Sequence, residues 1–527
     1  MIDQVATTSY DLVPYESHPF AQTHPDRLGT IGTLLGLRCR RANRCRVLEL
    51  GCAAGGNLVP MALAFPESTF VGIDLSRVQV GEGQELIKAL GLKNIQLRHL
   101  SIMEVSPEFG KFDYIICHGV YSWVPKNVQE KILDIYARNM APTGIAYVSY
   151  NTYPGWHMRG MIRDMLSYHA RQFVEPQTKV HQARNLLDFL AKSVAQEKSP
   201  YSMLLGQELE AFQGSSDSYL YHEHLEDVNE PIYFYQFVER AAKHGLKYLA
   251  EVDLRAMVPD NYPAEIKNVL QMLSHDLVHL EQYMDFLRNR MFRQTLLCHK
   301  NQKPNYNLRG DQLTAFHVSS SAKPVNPGPD LNSANVEKFE TPDGITLNSS
   351  DPLVKAAMVC ISEIWPQAVP FNKVVKQARE RLENKDPKAV ENDVQTLGQA
   401  FLTFYVSGSR SLMELSLQPP LFCSKLSEHP EASPLARLQA AGSNRVTNLR
   451  HETVYLGEFE RHIVQNLDGS RDRPSLIRLL TDLIAKGELT VEKEGQSVKE
   501  TAQVEEIVAS ALDEQLPTIA CNALLVK

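Results

Sequence analysis

The sequence predicts an α/β chain, with a parallel sheet flanked by helices over the first 300 residues and a mostly helical remainder. Three observations carry this. From residue 46 onward, short apolar runs alternate with helical stretches, the pattern of parallel strands joined by right-handed crossovers. The first run enters a small-residue turn, "ELGCAAGGN", ahead of the next helix. After residue 350, helical periodicity dominates.

The elements follow in order. Residues 1–45 are a preface in which "YDLVPYESHPFAQTHPDRL" collects aromatics, histidines and prolines, with a helix expected over 27–37. "RVLEL" (46–50) is the first strand and "GNLVPMALAF" the helix after it. "TFVGIDL" (69–75) is a strand, and "GQELIKALGL" a helix that stops at Gly91. "IQLRHL" (95–100) and "FDYIICHG" (112–119) are strands, "KNVQEKILDIYARNMAPTG" a helix, and "IAYVSYN" (145–151) a fifth strand. Then the pattern breaks. Val180, Ala183, Leu187, Leu190 and Val194 keep a 3-4-3-4 spacing, so residues 156–230 read as a helical insertion with one apolar stripe. That stripe needs burial, and a homodimer contact is one way to provide it. "IYFYQFVERAAKHGLKYLAEVDL" resumes helix and strand, a helix is expected over 263–290, and "RMFRQTLLCH" (290–299) is a last strand. Residues 301–350, rich in Asn, Ser, Pro and Gly, have linker composition. Three helices and "SRSLMELSLQPP", a β-wing, make residues 351–425 winged-helix-like, and 426–527 a C-terminal helical domain.

A chain of 527 residues exceeds one hydrophobic core, so two to four domains are expected. The net charge of −8 argues against a general nucleic-acid coat, which needs a basic face. The eight cysteines form no CxxC pair, so neither a zinc ribbon nor a disulfide framework is expected, and a reducing cytoplasm fits. The N-terminus lacks a basic region followed by an apolar one, and no apolar run approaches the roughly 20 residues of a membrane span.

The glycine turn decides the ligand class. An NTP cradle needs GxxxxGK[ST], and no lysine is present. A dinucleotide site needs GxGxxG, whose middle glycine admits a pyrophosphate, but Ala53 holds that position. The observed form, Glu49-x-Gly51-x-Ala53-x-Gly55, resembles the first motif of class I S-adenosylmethionine (SAM) methyltransferases. Asp74 ends the second strand 19 residues after Gly55, where a carboxylate can accept hydrogen bonds from both ribose hydroxyls. Glu49 offers a negative charge toward the ammonium and sulfonium. After the third strand the family often carries an acid for the adenine amino group; here Ser101, or the Ile102 and Met103 backbone, stands in its place.

A wider resemblance rests on "PYESHPFAQTHP", "LELGCAAGGNLVPMA", "CHGVYSWVP", "YVSYNTYPGWH", "DFLRNRMFRQTLLC" and "NLDGSRDR". Together they resemble the class I methyltransferases with a methyltransferase regulatory domain, among them the rickettsial lysine methyltransferases of outer membrane proteins. The resemblance implies a Rossmann-like core at 46–155, a lid at 1–45, a regulatory region completing the sheet at 231–300, SAM as cofactor and a protein lysine as acceptor. An outer membrane protein met before export is the acceptor class it points to. Neither nucleic acid nor membrane insertion is expected. The candidate cofactor residues are Tyr15, Glu49, Gly51, Cys52, Ala53, Gly55, Asn57, Asp74, Leu75, Ser76, Ser101, Ile102, Met103, His118, Gly119 and Val120.

"HGVYSWVP" follows the fourth strand at the sheet edge where ligands bind, and it lacks the [DN]PP[YF] device that holds planar nitrogens. Tyr121 and Trp123 there, and Tyr150, Asn151, Tyr153 and His157 after the fifth strand, are the candidate catalytic and acceptor-binding residues. Aromatic walls tolerate an alkylammonium, and partial desolvation lowers its pKa toward the neutral nucleophile. The alternatives are that Trp123 only packs the sheet and that "YPGW" is a structural turn. Tyr10, Tyr15, His18 and His24 are expected in the lid. His222, Glu223 and His224 lack a third ligand, so no metal is expected. Cys52 and Cys117 read as small apolar fillers, since in-line methyl transfer needs no thiol. The reading is therefore a SAM-dependent methyltransferase acting on protein lysine, with a small-metabolite methyltransferase or a SAM-binding scaffold as alternatives.

Overall fold

The computed structural model describes residues 13–407, 412–490, 492–493, 496–497 and 501–527. The expected strands are β1 (Arg46–Leu50), β2 (Thr69–Asp74), β3 (Ile95–His99), β4 (Phe112–Cys117), β5 (Met140–Asn151), β6 (Leu246–Glu251) and β7 (Phe292–His299). They form one sheet in the order β3-β2-β1-β4-β5-β7-β6. β1 to β5 are parallel, and β7 runs antiparallel to both β5 and β6. The order reverses between β1 and β4, so a crevice opens at the carboxyl ends of these two strands.

Both sheet faces are buried. Val47, Phe70, Tyr114, Ile116, Ile145 and Tyr147 face one cluster, and Leu48, Leu50, Ile73, Ile115, Val148 and Tyr150 the other. Such doubly covered strands read as continuous apolar runs. β5 starts five residues earlier than its apolar run suggests, because the preceding helix stops at Asn139 and Pro142 cannot prolong it. The long helix expected over 263–290 is two, Ala264–Leu273 and Leu277–Arg288, and Asp276 caps the second by accepting from His279 N–H at 2.9 Å.

Between β5 and β6 lie the helices Trp156–Ala170, Pro176–Val194, Pro200–Gln213 and Asp217–His224. Their stripe residues Val180, Ala183 and Leu187 pack on Ile162, Leu166, Leu205 and Phe212, while Leu190 and Val194 are partly buried and Phe189, Val174 and Met203 are exposed. His222 and His224 lie on a helix, not a strand, and part company. The His222 ring reaches Glu226 and the Val13 carbonyl, whereas His224 is buried against Phe212 and pushed down to about 3.

Residues 301–350 depart from the linker expectation. Strands His317–Ser319, Lys323–Pro324, Glu337–Glu340 and Thr346–Ser349 occur here, and Leu313, Phe316, Val318, Phe339 and Leu347 join the cluster under the sheet. The polar residues that looked like linker form turns, and the buried Lys355 amine donates to the carbonyls of Asp330, Ser333 and Asn335. Helices Pro352–Ser362, Phe371–Arg381 and Val390–Ser407 follow and share that core. A separate core built from Ala436, Ile463, Leu476, Val508 and Leu524, among others, holds the C-terminal helices together. No helix among the described residues is long and apolar enough to cross a membrane.

Candidate active site

The turn after β1 is shaped by positive φ at Gly51 (77°), Ala53 (48°) and Gly55 (76°). A Cβ on Gly51 would stand 2.5 Å from Val120 Cγ2, and one on Gly55 would stand 2.8 Å from Leu97 Cδ1. Glycine is therefore demanded twice, by φ and by the close approach of neighbours. The Asp74 carboxylate spans the two loops, accepting from Ala53 N–H and Ser76 N–H at 2.8 Å each. It thus anchors the glycine turn to the end of β2. Leu75 and Met103 are exposed beside it, and Ile102 is half-buried. The Ser101 hydroxyl caps the short helix Ile102–Glu104, accepting from Met103 N–H at 3.2 Å.

Glu49 is buried, and burial pushes its carboxyl up to about 8. Its Oε1 accepts from Asn57 Nδ2 at 2.7 Å, while its buried Oε2 has no partner among the described residues. A buried carboxylate oxygen without a donor suits an incoming ammonium, so this end of the crevice fits the amino-acid part of SAM. Asn57 itself is 3% exposed and wholly enclosed by protein partners, so it supports Glu49 rather than lining the crevice, a correction to its expected role. Burial keeps Cys52 and Cys117 as thiols well above their ordinary range.

After β4, His118 is held by Tyr147 Oη at 2.8 Å and Ser149 Oγ at 3.2 Å, and burial pushes it down to about 4, so it is neutral. Gly119 donates its N–H to Ser149 Oγ and is exposed, and Val120 leans on Gly51. The N-terminal segment crosses this mouth. Ser17 Oγ accepts from Gly56 N–H at 2.8 Å, Tyr15 O accepts from Gln79 Nε2 at 2.7 Å, and the Phe20 ring packs at a tilt against His118 with centroids 4.0 Å apart. His18 pairs with Glu16, and His24 caps the helix Pro25–Leu34, away from the mouth; Tyr10 lies outside the described residues.

The acceptor candidates separate. Tyr121 and Tyr150 are core residues. Tyr150 stacks on Phe237 at 4.3 Å, Tyr121 meets the same ring edge-on at 5.4 Å, and both are at most 1% exposed. The expectation that they wall a channel is corrected. Strand alternation sends Tyr150 to the face of Ala146 and Val148, and the short helix Tyr121–Trp123 tucks Tyr121 beneath it. Tyr153 and His157, in contrast, lie ring over ring at 4.0 Å, with Tyr233 5.2 Å from Tyr153. Trp123 meets Trp156 edge-on at 6.2 Å. Asn151 ends β5, with its N–H bound to Ser122 Oγ and its buried Nδ2 unpartnered among the described residues.

A cleft of 510 Å³ opens at this aromatic group, lined by Tyr153, Trp156, His157, Arg163, Asp164 and Asn229, with Met161, Met165 and Pro231. Both Asn229 side-chain polar atoms are buried without a partner among the described residues. Behind the cleft, Gly155 N–H and Thr152 N–H bind the carbonyls of Arg290 and Met291, and a Cβ on Gly155 would stand 2.2 Å from Asn289 O. Arg290 and Arg293 are in turn locked among Glu251, Glu281 and Asp285, a buried ion network that props the loop. Sequence reasoning missed Tyr233, Asn229 and Asp164. The aromatic run in "PIYFYQF" was the available signal for Tyr233; nothing local marked the other two.

Three family descriptions match: "Methyltransferase domain" over residues 47–144, "Predicted methyltransferase regulatory domain" over 216–299, and "PKMT, C-terminal winged helix domain" over 428–524. A Rickettsia prowazekii protein is 38% identical over 98% of this chain and 93% of its own length. The chain belongs to this methyltransferase family. The structure of PKMT2 from Rickettsia typhi in complex with AdoHcy is similar throughout, with a TM-score of 0.87 and 33% identity over 98% of this chain and 100% of that one. A second PKMT2 structure gives a TM-score of 0.88 at 32% identity. The chain is a SAM-dependent methyltransferase. The winged helix of this family matches 428–524, whereas the sequence pattern suggested 351–425. Both regions are helical with short strands, and helical periodicity alone does not separate them.

Proposed function

We propose that this methyltransferase transfers the SAM methyl group to lysine side chains of a protein by direct in-line displacement. The observation that carries the reading is the cleft lined by the stacked rings of Tyr153 and His157 just after β5, with Tyr233 5.2 Å from Tyr153. SAM supplies an electrophilic methyl on its sulfonium. Glu49 Oε2 holds the ammonium, Asp74 the ribose hydroxyls, and the glycine turn admits the chain of the methionine. A lysine amine is protonated in water, with a pKa near 10.4, and must lose that proton before attack. Burial between aromatic rings disfavours the charged form, and the ring faces tolerate the charge that returns on the product. Positioning and water exclusion supply the rate, so no covalent intermediate on the protein is needed. Asp164 at the rim draws a cationic side chain in, and Asn229 meets the amide groups of the acceptor chain. The full-length likeness to PKMT2 supports a protein acceptor. An outer membrane protein met before export is the first acceptor to test, with the reaction placed in the cytoplasm.

The test is to incubate the full chain with methyl-labelled SAM and a bacterial lysate, then digest and sequence the labelled material. Label on lysine side chains supports the reading. Label confined to the small-molecule fraction overturns it in favour of a metabolite acceptor.

A further inference from the structure

His451 belongs to the C-terminal domain, yet its ring nitrogen Nε2 lies 2.8 Å from Oδ1 of Asn57, 394 residues earlier, at the glycine turn. Both residues are buried. The direction of the bond is set by the other partners of Asn57. Phe20 N–H, which can only donate, points at the same Oδ1 at 2.9 Å. Asn57 Nδ2 in turn donates to Thr23 Oγ1 at 2.9 Å and to Glu49 Oε1 at 2.7 Å. His451 is therefore the donor through Nε2–H. The chain of contacts runs from the C-terminal domain to Glu49, whose buried Oε2 has no hydrogen-bond partner among the described residues.

The way His451 is held argues that this contact is specific. Its φ is +61°, a region that non-glycine residues occupy uncommonly and at some cost in energy. The turn around it is closed by Asn448, whose side chain accepts from Arg450 N–H and Glu452 N–H at 3.0 and 2.9 Å. Leu449 N–H binds the Ala523 carbonyl near the chain end, and Arg450 lies over Trp365 at 4.7 Å and pairs with Glu414 at 3.0 Å. The loop 448–452 is thus fastened to two C-terminal modules, and its one left-handed residue is aimed at the cofactor turn.

We propose that His451 is a positioning residue for SAM: the C-terminal domain completes the cofactor site by fixing the Asn57 amide, which in turn presents Glu49 to the amino-acid end of SAM. The proposal rests on the SAM site described above and not on the lysine acceptor. It makes the winged-helix module part of the catalytic unit and couples its docking to cofactor affinity. Coupling of this kind is reciprocal, so the cofactor must also steady the loop that supports its site.

The test uses the full chain and AdoHcy as the probe. Histidine 451 is replaced in two ways, His451→Leu, which keeps bulk and removes the donor, and His451→Gln, whose Nε2 can still donate. His451→Leu is expected to weaken AdoHcy binding by about threefold to tenfold, the effect of one hydrogen bond. The KM for SAM should rise in step while kcat at saturating SAM holds within about twofold, and His451→Gln should recover most of the affinity. A merely structural histidine would lower the melting temperature without that split or that rescue. Wild-type affinity in His451→Leu overturns the proposal, and so does equal loss in both variants. Should His451→Leu fail to fold, hydrogen exchange on the unaltered chain decides: AdoHcy must slow exchange at residues 448–452, and unchanged exchange there refutes the coupling. Failure of the unaltered chain to bind AdoHcy would instead strike at the cofactor reading itself.

Discussion

The cofactor side of the crevice draws on residues 49–57 and 74–76, two short stretches at the ends of neighbouring strands, whereas the acceptor cleft draws on residues 153–165 and 229–231, two stretches with most of the helical insertion between them, and Tyr233 lies against Tyr153. On the first side the determinants are backbone ones. Three positive φ values shape the turn, and two carboxylates brace it, Glu49 from within β1 and Asp74 from the end of β2. On the second side the determinants are side chains brought together by the helical insertion, the return to the sheet at Ile232, and the buried ion network behind Gly155. The cofactor half is therefore stiff to substitution and the acceptor half is adjustable. A family can keep one cofactor and change its acceptor by repacking the insertion.

The largest break in that contrast should come from Gly51→Val. A branched Cβ would press on Val120 at a φ of +77°. AdoHcy affinity should fall by about 10²-fold or more, since backbone strain alone costs of order 1–3 kcal/mol and the clash adds to it. Calorimetry that finds unaltered affinity would remove the turn from the cofactor site.

Next in size is a pair of substitutions that separates core from cleft. Tyr121→Ala should destabilise the chain by about 3–5 kcal/mol, as for other large buried rings. Tyr121→Phe should leave both stability and methyl transfer near those of the unaltered chain, because the Tyr121 ring is packed on Tyr150 and Phe237. A large loss of turnover in a stable Tyr121→Phe protein would return this residue to the acceptor side.

Within the cleft, Tyr153→Ala should reduce turnover by about 10²-fold, the scale of a lost positioning group, with AdoHcy affinity held within a few-fold. His157→Ala should act in the same direction, since the two rings stack. Equal losses of turnover and AdoHcy affinity would merge the two halves that the structure separates.

The smallest effect concerns pH. Burial raises the Glu49 carboxyl from 4.5 to about 8, so the folded chain retains a proton that the unfolded chain has released across this interval. Stability of the cofactor-free protein attributable to this group is full below about 4.5 and is lost as pH rises toward 8. Thermal melts should show Glu49→Gln gaining a few degrees on the unaltered chain at the upper end of that window and nothing at the lower. Parallel melting curves for the two proteins across the window would show that Glu49 is not the group that titrates.

The sequence by itself determined the succession of strands through β7, the glycine turn, the carboxylate at the end of β2, and the helical character of the stretch after Trp156. These rest on periodicity and on backbone angles, which neighbours within one element set. Only the tertiary structure decided that residues 301–350 pack beneath the sheet, that Tyr121 and Tyr150 turn inward while Tyr153 and His157 frame a cleft, and that Asn57 is a hub reached from His451. The reason is the range of the forces involved. A φ of +77° at Gly51 is a local demand that the residue type reveals, whereas the face a tyrosine takes, or the partner an amide finds 394 residues away, depends on which surfaces exclude water together once the whole chain has folded.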